Sequence, residues 1–502
     1  MMRWRLLVCV LTLLSAPCGF AHVGSADVFA EDFAGPYKLS IVLRPPRVIP
    51  GVADIEVRSE TPGVDSITIT PIPMTGEAAK HPPVPDTVAR PSKDAQFFTG
   101  HLWIMATGSW QVRFVVNGQQ GQGVLSIPMS ATATTTQKMQ KGLGIALAIP
   151  GVLLLLGLVS IVGASASRAT LAPGQEATRL DRRRGRIAMG FTGAVLVAIL
   201  FIGNLWWNAE AAAYARNIYK PLQMRSTLEQ GNVLDLKLHD PGWLAWRNTD
   251  DFIPDHNHLM HLYLVRWPQL DVVFHLHPQA TAAGDFQLPL PSMPAGSYHL
   301  YADVVHANGF PETLVSETVL PQIVGQPLMG DDAEGEGRPA EVSEPTTGNT
   351  EQRFRFPDGY TMIWKMPKSL APGTPENFQF QLIDSSGRAP GDMTLYMGML
   401  GHAAFLKTDG TVFAHIHPDG TMAMAALMMA NPQAKMSGAS GSGEMNMGNM
   451  QGMSMGGVGL PNSVAFPYGF PSPGHYHIFV QMKHSAQIET GIFDAYVRAS
   501  TP

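Results

Sequence analysis

Apolar and polar positions alternate along residues 22–130 in short runs, KLSIVLRPP, GVADIEVRS, SITITPIP and SWQVRFVVNG, each broken by Pro or Gly. A period of two sets one face of a strand on a core and the other on solvent, and Pro and Gly punctuate such strands. The pattern predicts an Ig-like β-sandwich. Two unbroken apolar runs follow, residues 142–165 (GLGIALAIPGVLLLLGLVSIVGAS) and 187–207 (IAMGFTGAVLVAILFIGNLWW), and neither contains a charge. Each is long enough to cross a bilayer as a helix, and the second ends on a Trp pair suited to the interface. The next stretch, AEAAAYARNIYK, is expected to prolong that helix until Pro221.

Beyond residue 208 the alternation returns, and it returns twice. HNHLMHLYLVRWPQLDVVFHLHP and PLPSMPAGSYHLYADVV are echoed by MGMLGHAAFLKTDGTVFAHIHP and PYGFPSPGHYHIFVQMK. In this repeat His261 matches His402, and His275-Leu-His277-Pro278 matches His415-Ile-His417-Pro418. Each copy is expected to be a sandwich, over residues 208–325 and 353–502. Residues 326–352 are acidic and rich in Gly and Pro, and read as a flexible linker. The second copy carries a methionine-rich insertion over 422–457. The fold class is therefore all-β exported domains, the last two an internal repeat, plus two transmembrane helices.

Charge sets the topology. Only 15% of residues are charged, low for a soluble chain, and the net charge of −6 speaks against a nucleic-acid binder. Residues 166–186 hold Arg168, Arg179, Arg182, Arg183, Arg184 and Arg186, which the positive-inside rule assigns to the cytoplasm. Residues 1–21 have two arginines ahead of an apolar run and end in Gly-Phe-Ala, the form of a secretory signal peptide. Both flanking regions are then exported, into the periplasm of a bacterial-type inner membrane. Cys9 and Cys18 are the two cysteines and both lie in the signal segment, so cleavage after Ala21 leaves a chain without thiols.

Candidate chemistry lies in the histidines and methionines. None of the 17 histidines falls between residues 102 and 238. Residues two apart on a strand share a face, so His275 pairs with His277, His415 with His417, and, if that segment is extended, His256 with His258. Such pairs, met by His261 or His402 from a neighbouring strand, can ligate copper, zinc or nickel. In register, His256 and His258 are replaced by Met397 and Met399. Imidazole serves Cu(II) and Cu(I), whereas thioether is specific to soft Cu(I). Met445, Met447, Met450, Met453 and Met455 stand among Gly, Ser, Asn and Gln, where no core can use them. Read structurally instead, the histidines are hydrogen-bonded edge residues and the methionines pack gaps.

The segment GPYKLSIVLRPPRVIPGVADIEV, with GSWQVRFVV later, resembles small exported sandwiches of the CopC and YtkA type. The resemblance implies an Ig-like domain associated with periplasmic copper. CopC-type chains begin their mature form with a histidine, as His22 would here. Its free amine and imidazole, with His101 as a further nitrogen and Asp27 as an oxygen, make a candidate Cu(II) site. The leading expectation is a membrane-anchored periplasmic protein that sequesters or delivers copper, partnered by a copper pump, chaperone or oxidase. Two alternatives stand beside it: a structural or sensory membrane module without metal, and a copper-dependent oxidative enzyme. No blue-copper Cys-His-Met set, G-x-S-x-G or H-E-x-x-H is present.

Overall fold

Alternation along the amino-terminal runs is realised as two facing antiparallel sheets in a computed structural model that describes residues 26–91, 93–172, 174–243, 247–339, 351–432 and 459–499. One sheet orders the strands Val28–Ala34, Tyr37–Arg44, Gly51–Ser59 and Phe97–Ile104. The other orders Asp86–Thr87, Val64–Pro73, Gly108–Gly118 and Gly121–Ala131. Leu39, Ile41 and Leu43 from the first sheet and Val112, Phe114 and Val116 from the second are buried between them. These are the alternate positions of their strands, as the period of two requires.

The two later sandwiches share one plan. In the first copy the strand His261–Trp267 lies between Gly296–Val305 and Val272–Leu276. In the second, His402–Lys407 lies between Gly474–His484 and Phe413–Ile416. Matching tyrosines brace matching corners: Tyr298 donates its hydroxyl to the Pro294 carbonyl and Tyr476 to that of Ser472, both at 2.8 Å. The copies pack on each other, with Tyr263, Val265 and Tyr301 of the first buried in one core with Phe405, Phe413 and Ile416 of the second. Tyr301 stacks on Phe413 at 4.4 Å between ring centres.

Two expectations change here. Residues 326–339 do not read out as a linker: Ala333–Glu336 pairs as an edge strand with Val272–Leu276 of the first copy. A short acidic segment can join a ladder because the bonds are made by backbone, whatever the side chains. The remainder of that stretch, residues 340–350, lies outside the described residues, as do the signal segment and the core of the methionine insertion. The beginning of the insertion, in a copy expected to be a sandwich of strands, forms a short helix over Met424–Ala430, here α3.

The amino-terminal sandwich closes over the second copy. Its first strand accepts the Thr421 amide at the Phe29 carbonyl (2.9 Å), and the Glu31 amide bonds the Asp419 carbonyl (3.0 Å). Asn431, just after α3, accepts from the Ser126 amide and donates to its carbonyl, at 2.9 and 2.7 Å. Gly420 sits at φ 135° in this clamp, where a Cβ would come within 2.0 Å of the Phe29 carbonyl oxygen.

Residues 133–219 form a separate compact unit. It contains α1 (Lys141–Arg168) and α2 (Arg179–Arg216), both long and apolar enough to cross a membrane. They absorb both ends of the arginine-rich segment expected as a loop. Thr178 and Asp181 cap α2 reciprocally. The helices meet at small residues: Gly163 and Gly185 are buried, and a Cβ on Gly185 would stand 2.8 Å from the Gly163 carbonyl oxygen. Close glycine contacts are how helices associate without a hydrophobic driving force.

Gly420→Ala is expected to destabilise the protein by more than about 1 kcal/mol, since both its φ and its space exclude a side chain. A thermal melt of the full chain beside the variant checks this, and an unchanged Tm would show that the clamp does not hold.

Candidate metal centre

The site is built from one turn and two strand ends in each copy. The segment His256–His258, whose histidines would share a face only if it were extended, is a tight turn: His256 and Asn257 lie at φ 48° and 71°, and Asp255 and His258 exchange backbone hydrogen bonds at 2.9 Å. Met397 and Gly398 repeat it at φ 49° and 81°, between Tyr396 and Met399. Positive φ at both central residues is the tightest hairpin geometry, and a histidine is held there only when its surroundings over-determine it. The turn sends His256 and His258 apart. His256 reaches the second copy, while His258 stacks on His277 at 3.8 Å.

Two buried trios result. His256, His402 and His417 form one, and His261, His275 and His277 the other, with ligand-capable atoms in each within 4.8 Å of one another. His415 stands between them, its ring centre 5.4 Å from both His261 and His275, 5.6 Å from His402 and 4.7 Å from His417. The first trio therefore takes ligands from both copies.

Hydrogen-bond partners fix the tautomers. His256 Nδ1 donates to the Met397 carbonyl (2.8 Å), His417 Nδ1 to that of Met422 (3.1 Å) and His277 Nδ1 to Asp332 (2.9 Å). Each leaves a bare, buried Nε2 with no partner. His415 Nε2 is likewise unpartnered, and so are both nitrogens of His402. The decisive contact is His261 Nδ1 facing His275 Nε2 at 3.1 Å. His261 spends its proton on the Asp255 carbonyl through Nε2 (3.0 Å). His275 Nδ1 faces the Gln481 side-chain oxygen (2.9 Å) and the hydroxyl of Tyr396, whose own proton goes to the Asp331 carbonyl. With the Gln481 oxygen turned to His275 Nδ1, the His275 proton sits there and two lone pairs face each other. An unsatisfied buried polar atom costs about 1–3 kcal/mol. A cation in each trio would take up the lone pairs that face it, and neutral imidazole is the form that ligates.

Protonation offers no other way out. Burial, then repulsion from neighbouring histidines, holds His261, His275, His402 and His417 well below the ordinary imidazole range. Burial pushes His415 down to about 3. His277 is lowered less, because burial is opposed by the Asp332 hydrogen bond.

The supports are reciprocal. Asp303 and Gln481 stand opposite His261 and His402 in matching ladders. Gln481 of the second copy holds His275 of the first, and Asp303 of the first lies 3.3 Å from His415 Nδ1 of the second. An approximate two-fold relation between the copies puts the histidine array at their shared interface.

Of the residues singled out in the sequence, His256, His258, His261, His275, His277, His402, His415 and His417 are brought together. Met397 enters through its carbonyl, its side chain packing with Ala333 and Tyr396. Met399 accepts and donates only within its turn among the bonds described. His101 is far more open, its side chain 72% exposed and paired with Asp54 at 2.8 Å, and Asp27 lies 3.7 Å from Arg44. His22 and Met445, Met447, Met450, Met453 and Met455 lie outside the described residues. Sequence reading missed Asp255, Asp303, Asp331, Asp332 and Gln481, the groups that orient the imidazoles. The acidic pair 331–332 carried a signal, but it was absorbed into a linker.

A family model described as a domain of unknown function (DUF8832) matches residues 354–499. No curated protein matches the chain. Among solved structures, the chain is similar to a tetra-tandem repeat from the extending region of a large adhesion protein at 8% identity, covering 90% of this chain and 71% of that one, TM-score 0.16. It is similar to a putative membrane anchored protein from Corynebacterium diphtheriae at 8% identity, covering 95% and 96%, TM-score 0.15. An ICAM-5 D1–D4 ectodomain fragment aligns at 8% identity over 93% and 78%, TM-score 0.15. Scores of this size are not overall superpositions, so the reading of the site rests on its own geometry.

In the metal-free protein, unfolding returns these histidines to a pKa near 6.5. The unfolded chain then binds more protons than the fold, so stability falls as the pH drops below about 6.5. The expected slope is about 1.4 kcal/mol per unit for each histidine kept neutral. Melts of the metal-free chain between about pH 7.5 and 5 test the sign. A Tm that stays flat or rises toward acid would contradict the assignment of neutral, buried imidazoles.

Proposed function

We propose that this chain is a membrane-anchored protein that holds copper between its two carboxy-terminal sandwiches, for sequestration or for delivery to a partner. One observation carries the reading: His261 and His275 oppose bare nitrogens at 3.1 Å inside an array of unpartnered, buried imidazoles. All-imidazole trios suit copper, zinc or nickel, and copper heads the affinity order among divalent first-row ions. The five methionines at 445–455, which follow α3 in the chain, supply thioethers, and these favour Cu(I). His22, His101 and the CopC-like sandwich provide a separate Cu(II) candidate on the amino-terminal side. Both regions would be exported, with α1 and α2 as the anchor. The trios are buried on every member, which suits holding an ion better than turning over a substrate. For that reason an oxidative copper enzyme is the weaker alternative.

A second reading, a structural or sensory module without metal, has its own support. His306 is fully buried yet satisfied, between Asp251 at 2.6 Å and Glu312 at 2.9 Å. This chain therefore also uses buried histidine as structure.

His402→Leu separates the two readings. Neither nitrogen of His402 has a partner, so its removal breaks no hydrogen bond. Full-length protein in detergent is titrated with Cu(II), and with Cu(I) under reducing conditions, against a competing chelator. Copper is expected to bind at about one ion per trio, with the variant losing the ion of its trio while still folding. Replacing the five methionines by Leu is expected to lower Cu(I) capacity and leave the trios loaded. A wild type that binds no copper, and a variant that melts higher, would hand the array to the structural reading.

A further inference from the structure

His484 is the only member of a second buried cluster that the repeat pairs with His306, and the two copies solve the same electrostatic problem differently. His306 and His484 each lie two residues beyond the strand position that faces a buried glutamate: Val304 faces Glu312, and Met482 faces Glu489. Five residues before the matching turns at His256 and Met397 stand Asp251 and Asp392. Each histidine thus has the same two carboxylates beside it. His306 lies between Asp251 and Glu312, and His484 lies 3.4 Å from Asp392 and 3.6 Å from Glu489.

The first copy completes its set with a cation. The fully buried guanidinium of Arg247 bonds Glu312 at 2.8 Å and also meets Asp240. Nine residues before Met397 the sequence again offers an arginine, Arg388, but this one is exposed and turned to the Ser386 hydroxyl at 2.8 Å. In its place the second copy adds a third carboxylate. The hairpin carrying Asp358 spans residues 356–360, against 230–232 in the first copy, and brings Asp358 within 3.7 Å of His484 Nε2. His484 Nε2 is buried without a hydrogen-bond partner, its side chain 8% exposed, and Tyr360 stacks on the ring at 4.0 Å. Among the described residues no lysine or arginine pairs with Asp358, Asp392 or Glu489. Burial pushes Glu489 up to about 7, and the Asp358 charge adds to it.

We propose that Asp358, His484 and Glu489 form a divalent-cation site, in which a metal ion takes the role that Arg247 plays in the first copy. Their ligand atoms lie within 4.8 Å of one another. Carboxylate oxygens with one imidazole select a harder ion than the histidine trios do, of the manganese or zinc type. Asp392 fixes the ring through Nδ1 and so leaves Nε2 for the ion. The site is independent of the copper array and stands or falls without it.

The test uses full-length protein in detergent and Mn2+ alone, read by loss of the free-ion EPR signal, with Zn2+ as competitor. Mn2+ sits at the bottom of the affinity order for imidazole sites, so it reports this cluster rather than the trios. Wild type is expected to bind Mn2+ and to melt higher with it. Asp358→Asn, in an exposed hairpin, and Glu489→Gln should each weaken binding at least about tenfold. Glu489→Gln without metal should melt no lower than wild type, since burial already disfavours the Glu489 charge. A wild type that binds neither ion, or variants that bind as well as it does, would overturn the site. So would an Arg388→Met variant that lowers Tm as far as Arg247→Met, because that result would make Arg388 the missing cation.

Discussion

Two unprotonated nitrogens facing each other in a dry interface are the constraint on which the carboxy-terminal half depends. His261 and His275 each spend their one proton outward, on Asp255 and on Gln481. Burial removes the option of a second proton. Around this contact stand the unpartnered nitrogens of His256, His277, His402, His415 and His417, divided between the two trios and the His415 that lies between them. Hydrophobic packing between the copies, through Tyr263, Tyr301 and Phe413, has to overcome that polarity for the interface to form without an ion. An ion bound there, as proposed, would remove that cost.

Several distant elements serve the imidazoles. The clamp of Phe29 and Glu31 on residues 419–421 fixes the turn in which His417 and Gly420 exchange hydrogen bonds. The start of α3 donates the Ala425 amide to Asp255, whose carbonyl orients His261. Asp331 and Asp332, beside the added edge strand, hold His258 and His277. His258 and His277 are positioned by a segment remote in sequence, while the local partners of His261 and His417 are themselves held by remote ones. The amino-terminal sandwich is part of the centre's construction as well as a candidate copper domain in its own right.

The repeat also shows how one scaffold diverges. Its strands, corner tyrosines and left-handed turns are kept, while single positions trade chemistry: His256 for Met397, Asp303 for Gln481, buried Arg247 for exposed Arg388. Some of these exchanges act across the interface, while Arg247 acts within its own copy. Asp303 and Gln481 do the same task for the other copy's histidine with different groups.

By itself, the sequence determined the periodic features. Alternation settled the strands, two apolar runs settled α1 and α2, and the His-x-His pairs were legible because a strand repeats its faces every second residue. Residue order also exposed the repeat. Tertiary structure alone decided that the copies meet face to face, that His256 crosses to the other copy, and that an acidic stretch read as linker contributes a strand and two carboxylates. The physical reason is the same in each case. A two-residue turn with positive φ reverses the direction in which neighbouring side chains point, and backbone pairing is indifferent to composition. Which nitrogens of His256, His275 and His277 end up without protons depends on Met397, Gln481 and Asp332, tens to hundreds of residues away, and no local pattern records that.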